Sequence, residues 1–423
     1  MTLTCYLSFT KKNGKFINFT HILITLAMRL FLIFFVTVIC IGTVRAQKPR
    51  LIVIGQDPDD AQSLVRLLHY ANEFDLQGII ANADSNYAKE AAVLRPEIIH
   101  EMIKSYAEIY DNLVLHYKAY PTGTYLHSLV KNGTFGNGVE VLMKNYIGEG
   151  KDTEASDWII EVVDIEDSQP VHITVWGGAC DLVQVLWKIQ STRSEKEEEA
   201  FVKKLRMFFI DKQDSSNQWV MDTFPQLWLV LASDAGVNKW EFSYRGMFWG
   251  GEMETTSKAW LHETIIGQNV LADHYPYHAY TGGEARNPYM ALKEGDTPAF
   301  LYFLQNGLNV SDRPEWGGRY ELKGNPFYTD AKDAYFDAQT GAIINSPRAT
   351  AFRWRNNFQN DFAARVQWGT KNYGDANHPH AVINGQANKS PLQIKVKAGD
   401  TLSLDASKSS DIDNDNLRFE WLL

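Results

Sequence analysis

Four short runs set the framework: Leu51–Ile54, Leu76–Ala81, Val171–Trp176 and Leu205–Ile210. Apolar and β-branched residues dominate them, and stretches with helical spacing alternate with them. A strand that is apolar on successive residues has no solvent face, so it must be covered on both sides. The covering elements are visible between the runs. Asp60–Phe74 carries Leu64, Leu67, Leu68 and Ala71 on one helical face, and Pro96–Tyr110, Asp157–Val163 and Leu182–Ile189 also read as helices. This alternation predicts an α/β fold, a mostly parallel sheet with helices on both faces. Ligands of such folds sit beyond the carboxyl ends of the strands. Asp57–Asp60, Gly177–Asp181 and Asp211–Asn217 fall at such ends.

The first of these segments is the most unusual. Gly55-Gln56-Asp57-Pro58-Asp59-Asp60 places three carboxylates at the end of a buried strand. Like charges this close repel, and each loses hydration near a core. Hard divalent cations take several oxygen ligands, so Asp57, Asp59 and Asp60 read as a candidate cation site. The competing reading is that Asp59 or Asp60 caps the following helix. Asp296 has the same two readings, as a ligand or as a cap before Thr297-Pro298.

The amino terminus lies outside the fold. Met28-Arg29 precedes an apolar run from Leu30 to Gly42, and Val44-Arg45-Ala46 gives a small-x-Ala cleavage pattern. Residues 1–46 therefore read as a secretory signal peptide preceded by an upstream extension over residues 1–27, with Met28 as the start. Removing them, with five basic residues and no acidic one, moves the formal charge from −10 to −15. Such an acidic chain is a poor match for nucleic acid or anionic membranes. The apolar run is too short for a comfortable span, so no membrane segment is expected after cleavage. The predicted location is secreted or periplasmic. Cys5 and Cys40 fall in the leader, which leaves Cys180 alone and excludes an intramolecular disulfide.

The remaining chain divides in two. Residues 47–375 read as the α/β domain, with a loop-rich, aromatic stretch at Phe242–Gly324 as a lid and Arg348–Tyr373 as a final helix. Residues 376–423 alternate apolar and polar residues between turns, as an immunoglobulin-like β-sandwich does, with too few strands to close one. That domain reads as truncated. Asp411, Asp413 and Asp415 alternate in one of its turns.

The Gln56–Asp60 segment resembles the Asp-x-Asp-Pro-Gly-x-Asp-Asp motif of inosine–uridine-preferring nucleoside hydrolases. It is closer still to a secreted bacterial family of cellulose-binding proteins with a nucleoside-hydrolase-like domain. Lys151-Asp152-x-Glu154-x-Ser156-Asp157-Trp158, Val175-Trp176-Gly177-Gly178-Ala179 and Glu294-Gly295-Asp296-Thr297-Pro298 are similar to its segments. Arg353 to Trp368 and Ala376-Asn377-His378-Pro379-His380 complete the ordered set. The resemblance implies a nucleoside-hydrolase-like fold followed by the β-sandwich.

It also implies roles. Asp60 matches a metal ligand, and Asp59 the residue that takes the proton of the attacking water. Gly177–Leu182 is similar to a turn whose backbone carbonyl binds calcium, which puts Cys180 among the ligands. Asp296 matches a late metal-binding Asp, and Asn217 and Gln218 match residues that bind sugar hydroxyls. The pattern's first Asp is missing: aligned from the Pro-Asp-Asp end, its place is taken by Val53, and Asp57 stands in as a ligand. The implied function is a calcium-dependent hydrolase of N-glycosidic, ribonucleoside-like, or related glycosidic bonds that uses a metal-bound water on a small nucleoside or carbohydrate. The alternative is a non-catalytic protein that keeps the hydrolase fold and binds carbohydrate, including a polysaccharide such as cellulose.

Overall fold

The computed structural model describes residues 48–55, 60–84, 95–136, 146–212, 215–233, 236, 238–276, 291–304, 315–324, 326–337, 340–370, 377–387, 392 and 394–419. Asp57 and Asp59 lie outside the described residues.

The apolar runs form strands where expected. β1 (Arg50–Gly55), β2 (Asp75–Asp84), β3 (Val130–Gly136), β4 (Val171–Val175), β5 (Leu205–Phe209) and β6 (Trp228–Leu231) run parallel. β7 (Tyr320–Gly324) and β8 (Phe327–Asp330) complete the sheet, with β8 parallel to β6 and β7 antiparallel at the edge. The spatial order is β3-β2-β1-β4-β5-β6-β8-β7. It reverses between β1 and β4, and this reversal opens a crevice beyond the strands' carboxyl ends.

The helices are α1 (Asp60–His69), α2 (Pro96–His116), α3 (Gly123–Ser128), α4 (Glu154–Asp164), α5 (Cys180–Thr192), α6 (Glu195–Lys203) and α7 (Ser215–Thr223). α8 (Lys258–Thr264), α9 (Thr297–Leu301), α10 (Ala349–Phe352) and α11 (Arg355–Trp368) follow. Successive β1 side chains enter opposite cores, as the two-residue pleat requires. Leu51 and Val53 join the core that also holds α1, α2, α9 and α11, whereas Ile52 and Ile54 join that of α4, α5, α6 and α7. Local chemistry sets the boundaries. Thr153 and Ser156 form a reciprocal capping box that starts α4, and Pro96 opens α2, where a missing N–H costs nothing.

Three expectations differ from the structure. The single final helix is two, α10 and α11, separated at Arg353-Trp354. The expected lid is largely built into the core: Tyr244, Met247, Phe248 and Leu261 are buried with α1 and α9. Among the described residues its aromatic side chains Tyr244, Phe248 and Tyr275 pack into the core, and Tyr277 and Tyr280 lie outside the described residues. The expected immunoglobulin-like sandwich is not formed by the described residues of the tail. These make isolated bridges, His380 with Ser410 and Ile383 with Gln386. Ile394, Val396, Leu402 and Leu404 stay exposed, since alternating strands bury a face only against a second sheet. The antiparallel pair that does form, β9 (Asp333–Asp337) with β10 (Ala342–Ser346), precedes α10. Among the described residues no helix is long and apolar enough to cross a membrane.

Candidate functional site

The strand ends at the crevice line up through backbone bonds. Trp176 N donates to Ile54 O at 2.9 Å, Ile210 N to Val175 O at 3.2 Å, and Ala232 N to Phe209 O at 2.9 Å. The ends of β1, β4, β5 and β6 therefore lie side by side.

Asp60 is the first residue of α1 and is fully buried, as is the whole helix. Negative charge is favoured there by the helix dipole. Asp296 precedes α9 and is 3% exposed. Its side chain makes no cap hydrogen bond, so the capping alternative does not describe it. The two helix starts are held together one turn in. Thr297 Oγ1 donates to Glu294 Oε2 at 2.8 Å and lies 3.1 Å from Ser63 Oγ.

A buried network fixes this junction. Gln62, Ser63 and Arg66 share a face of α1, as residues three and four apart do. Gln62 Oε1 accepts from Lys293 N at 2.9 Å and from Glu294 N at 3.0 Å, and Gln62 Nε2 donates to Pro276 O at 2.8 Å. Arg66 forms a two-pronged pair with Glu294, Nε to Oε2 at 2.6 Å and Nη2 to Oε1 at 3.0 Å. It also donates to Phe358 O at 3.1 Å and to Gln359 Oε1. Tyr275 OH donates to Glu294 Oε1. Burial opposes the Arg66 charge, yet the Glu294 carboxylate raises its pKa above the ordinary value. Burial, then the Glu294 charge, pushes the Tyr275 phenol far up.

On the other side of the crevice, Asp211 leaves β5 and accepts from Tyr244 OH at 3.1 Å. Burial raises the Tyr244 pKa strongly, and the charges of Asp211 and Asp296 add to it, so both acids approach the same tyrosine. Tyr244 carries no sequence signal for this role. Asn217, in the first turn of α7, is fully buried. Its Nδ2 donates to Asp211 O at 3.2 Å, and its Oδ1 has no partner among the described residues. Ser216 Oγ accepts from Ala179 N at 3.2 Å and joins α7 to the turn before α5. Cys180 opens α5 with a buried thiol that is in no disulfide.

Thus the Ser63–Thr297 contact joins the first turns of the helices that carry Asp60 and Asp296, and Asn217 and Cys180 are linked through Ser216 and Ala179. Gln218 does not join them: it is exposed and donates to Asp222 Oδ1 at 2.8 Å. Val53 is 1% exposed within β1 and paired with Ile79 and Thr174, so an apolar core residue fills the place of the pattern's first Asp. Asp181, beside Cys180, has a structural task. It accepts from Thr134 N and Oγ1 at 3.0 Å, Thr153 Oγ1 at 2.7 Å and Asn82 Nδ2 at 3.0 Å. Burial raises its pKa despite these donors.

A family model described as "Cellulose-binding Sde182, nucleoside hydrolase-like domain" matches residues 50–320, most of this α/β unit and its crevice. The chain belongs to this family. A solved nucleoside hydrolase-related hypothetical protein from Saccharophagus degradans, described as associated with carbohydrate metabolism, is 32% identical to it. That match covers 88% of this chain and 84% of the other, with a TM-score of 0.66. The inosine-uridine preferring nucleoside hydrolase from Bacillus anthracis is a distant likeness, at 10% identity and a TM-score of 0.35 over 76% of this chain and 99% of that one. No curated protein matches the chain.

Proposed function

We propose that the chain is an exported, calcium-dependent hydrolase of N-glycosidic, ribonucleoside-like, or related glycosidic bonds. The observation that carries this reading is that two buried carboxylates, Asp60 and Asp296, stand at the starts of two helices joined by the Ser63–Thr297 contact. The donor set suits a hard cation: Asp60 and Asp296, with Asp57 and the Cys180 carbonyl, offer oxygen alone. Calcium would polarise water and hold sugar hydroxyls there. Asp59 would take the proton of the attacking water, and the unpartnered Oδ1 of Asn217 would accept from a sugar hydroxyl. Gln218, turned to Asp222, has no part in this arrangement. Export rests on the Met28–Ala46 leader.

The test is release of free base from purine and pyrimidine ribonucleosides, and of reducing ends from aryl glycosides, with and without chelator. Turnover lost on chelation and in Asp296→Asn is the expected outcome. No turnover on either substrate class contradicts it.

A second reading is favoured by Val53. A core residue in place of a ligand is what a fold that has given up hydrolysis would show, and fold alone does not preserve chemistry. The chain would then be a non-catalytic carbohydrate-binding protein, with cellulose as the polymer the family description points to.

A further inference from the structure

A cleft of about 550 Å³ lies at the opposite edge of the sheet from the crevice. α1 and α2 both start at the strands' carboxyl ends and run back, so Tyr70, Glu73 and Tyr117 come to the amino-terminal edge. There they meet the last turns of α11 and the segment from His378 to Ala387. The volume is within the ~300–1,000 Å³ typical of small-molecule sites.

Its chemistry is specific. Arg365 is buried between the rings of Tyr70, at 4.1 Å, and Trp368, at 5.1 Å. Every side of its guanidinium is engaged: Nε by Asp361 at 2.9 Å, Nη1 by Asn72 at 2.8 Å and Nη2 by Glu73 at 2.8 Å. One cation therefore serves two carboxylates, which leaves the floor with no positive charge to offer an anion. Two further groups on that floor face Asp361. The Tyr70 hydroxyl is fully buried against it. His378 Nε2 lies 2.9 Å from Asp361 Oδ1, off the line a hydrogen bond needs. Above them stand two aromatic faces, Tyr117, which is 41% exposed, and half-buried Trp316. Trp316 packs edge-on against Phe358, and the next residue must be glycine, because a Cβ at Gly317 would meet Pro298 O at 2.1 Å.

We propose that this cleft binds a neutral saccharide as a single glycan chain, with Trp316 and Tyr117 against sugar faces and Asp361 and His378 toward hydroxyls. Aromatic faces over planar polar side chains recognise the alternating apolar faces and hydroxyl edges of a pyranose. Phosphates and uronates are disfavoured by Glu73 and Asp361. The concave shape suits a soluble chain rather than a flat polymer surface. This inference deepens the carbohydrate-binding reading and rests on it, but it does not need the calcium crevice.

Isothermal titration of the mature chain from Gln47 with cellotetraose, mannotetraose, xylotetraose and tetragalacturonate tests it, beside sedimentation with insoluble cellulose. The expected result is binding of at least one neutral tetrasaccharide, weaker binding of tetragalacturonate, and affinity lowered ~10-fold or more in Trp316→Ala and Tyr117→Ala. Tyr117 is exposed, whereas Trp316 also packs on Phe358, so circular dichroism checks the fold of both variants and Tyr117→Ala carries the test if Trp316→Ala is misfolded. Asp60→Asn should leave saccharide affinity unchanged. No heat with any neutral tetrasaccharide, a preference for tetragalacturonate, binding to insoluble cellulose alone, or full affinity in Trp316→Ala overturns the proposal. Loss of affinity in Asp60→Asn instead would place the sugar in the crevice, which overturns the cleft and leaves the hydrolase reading standing.

Discussion

Arg66 and Glu294 form an ion pair in which both side chains are completely buried and two hydrogen bonds, at 2.6 and 3.0 Å, run in parallel. The pair ties α1 to the segment that delivers Asp296. A single replacement leaves the partner charge buried and unpaired, at about 3–5 kcal/mol. Arg66→Met and Glu294→Leu should each lower the unfolding free energy from urea titration by an amount in that range. The two combined should be less destabilised than the single effects added. Additive losses would show that the charges do not act as a pair.

Asp181 should behave as a structural carboxylate. Asp181→Ala strands donors from Thr134, Thr153 and Asn82, at about 3 kcal/mol or more. Gly133→Ala strikes the same place, since its Cβ would lie 2.5 Å from Asp181 Oδ2. Both variants should unfold at lower temperature in a thermal scan. An unchanged midpoint in either would contradict the packing described.

His69 makes stability depend on pH. Burial, with the Arg365 and Arg66 charges against a weaker opposing pull from Val65, lowers its pKa to about 4. Asn269 Nδ2 donates to Nε2 at 3.2 Å, so Nδ1 carries the proton and donates to Val65 O at 2.8 Å. The folded chain keeps this ring neutral, whereas the unfolded chain takes up a proton near pH 6.5. Stability is therefore complete above that value and falls toward pH 4, by roughly 3 kcal/mol for the full interval. Urea titrations from pH 7.5 to 4.5 should show a steeper decline in the native chain than in His69→Gln. Parallel curves would mean that His69 titrates normally.

The Asp361 carboxylate is shifted the other way. Burial alone would raise its pKa, but Arg365 and His378 hold it far below the usual range. Its contribution is present above the ordinary carboxylate value and lost as the solution becomes strongly acidic. Asp361→Asn should flatten the acid limb below pH 4 and loosen the contact with His378, read as a shift in His378 ring resonances. An unchanged acid limb would exclude it.

The sheet was legible because its central strands are apolar on both faces: β1, β2, β4 and β5 fall on the predicted runs. β3, with Lys131, Asn132 and Gly133, gives no such signal, because it lies at the sheet edge and interrupts its buried residues with polar ones. Asp60 and Asp296 were visible through motif position. What brings them together was not, since Ser63–Thr297 and Arg66–Glu294 are contacts between residues more than two hundred positions apart. Tyr244 is silent in sequence because its hydroxyl meets Asp211 only in the folded chain. Gln218 adjoins Asn217 in the chain, yet one helical step turns it outward.

The most direct test is calcium titration of the mature chain from Gln47 by calorimetry, with Asp60→Asn and Asp296→Asn in parallel. A cation site at the joined starts of α1 and α9 predicts saturable binding in the native chain, a raised melting temperature with calcium, and loss of both in each variant. Absence of heat in the native chain, or binding that survives both substitutions, would contradict it.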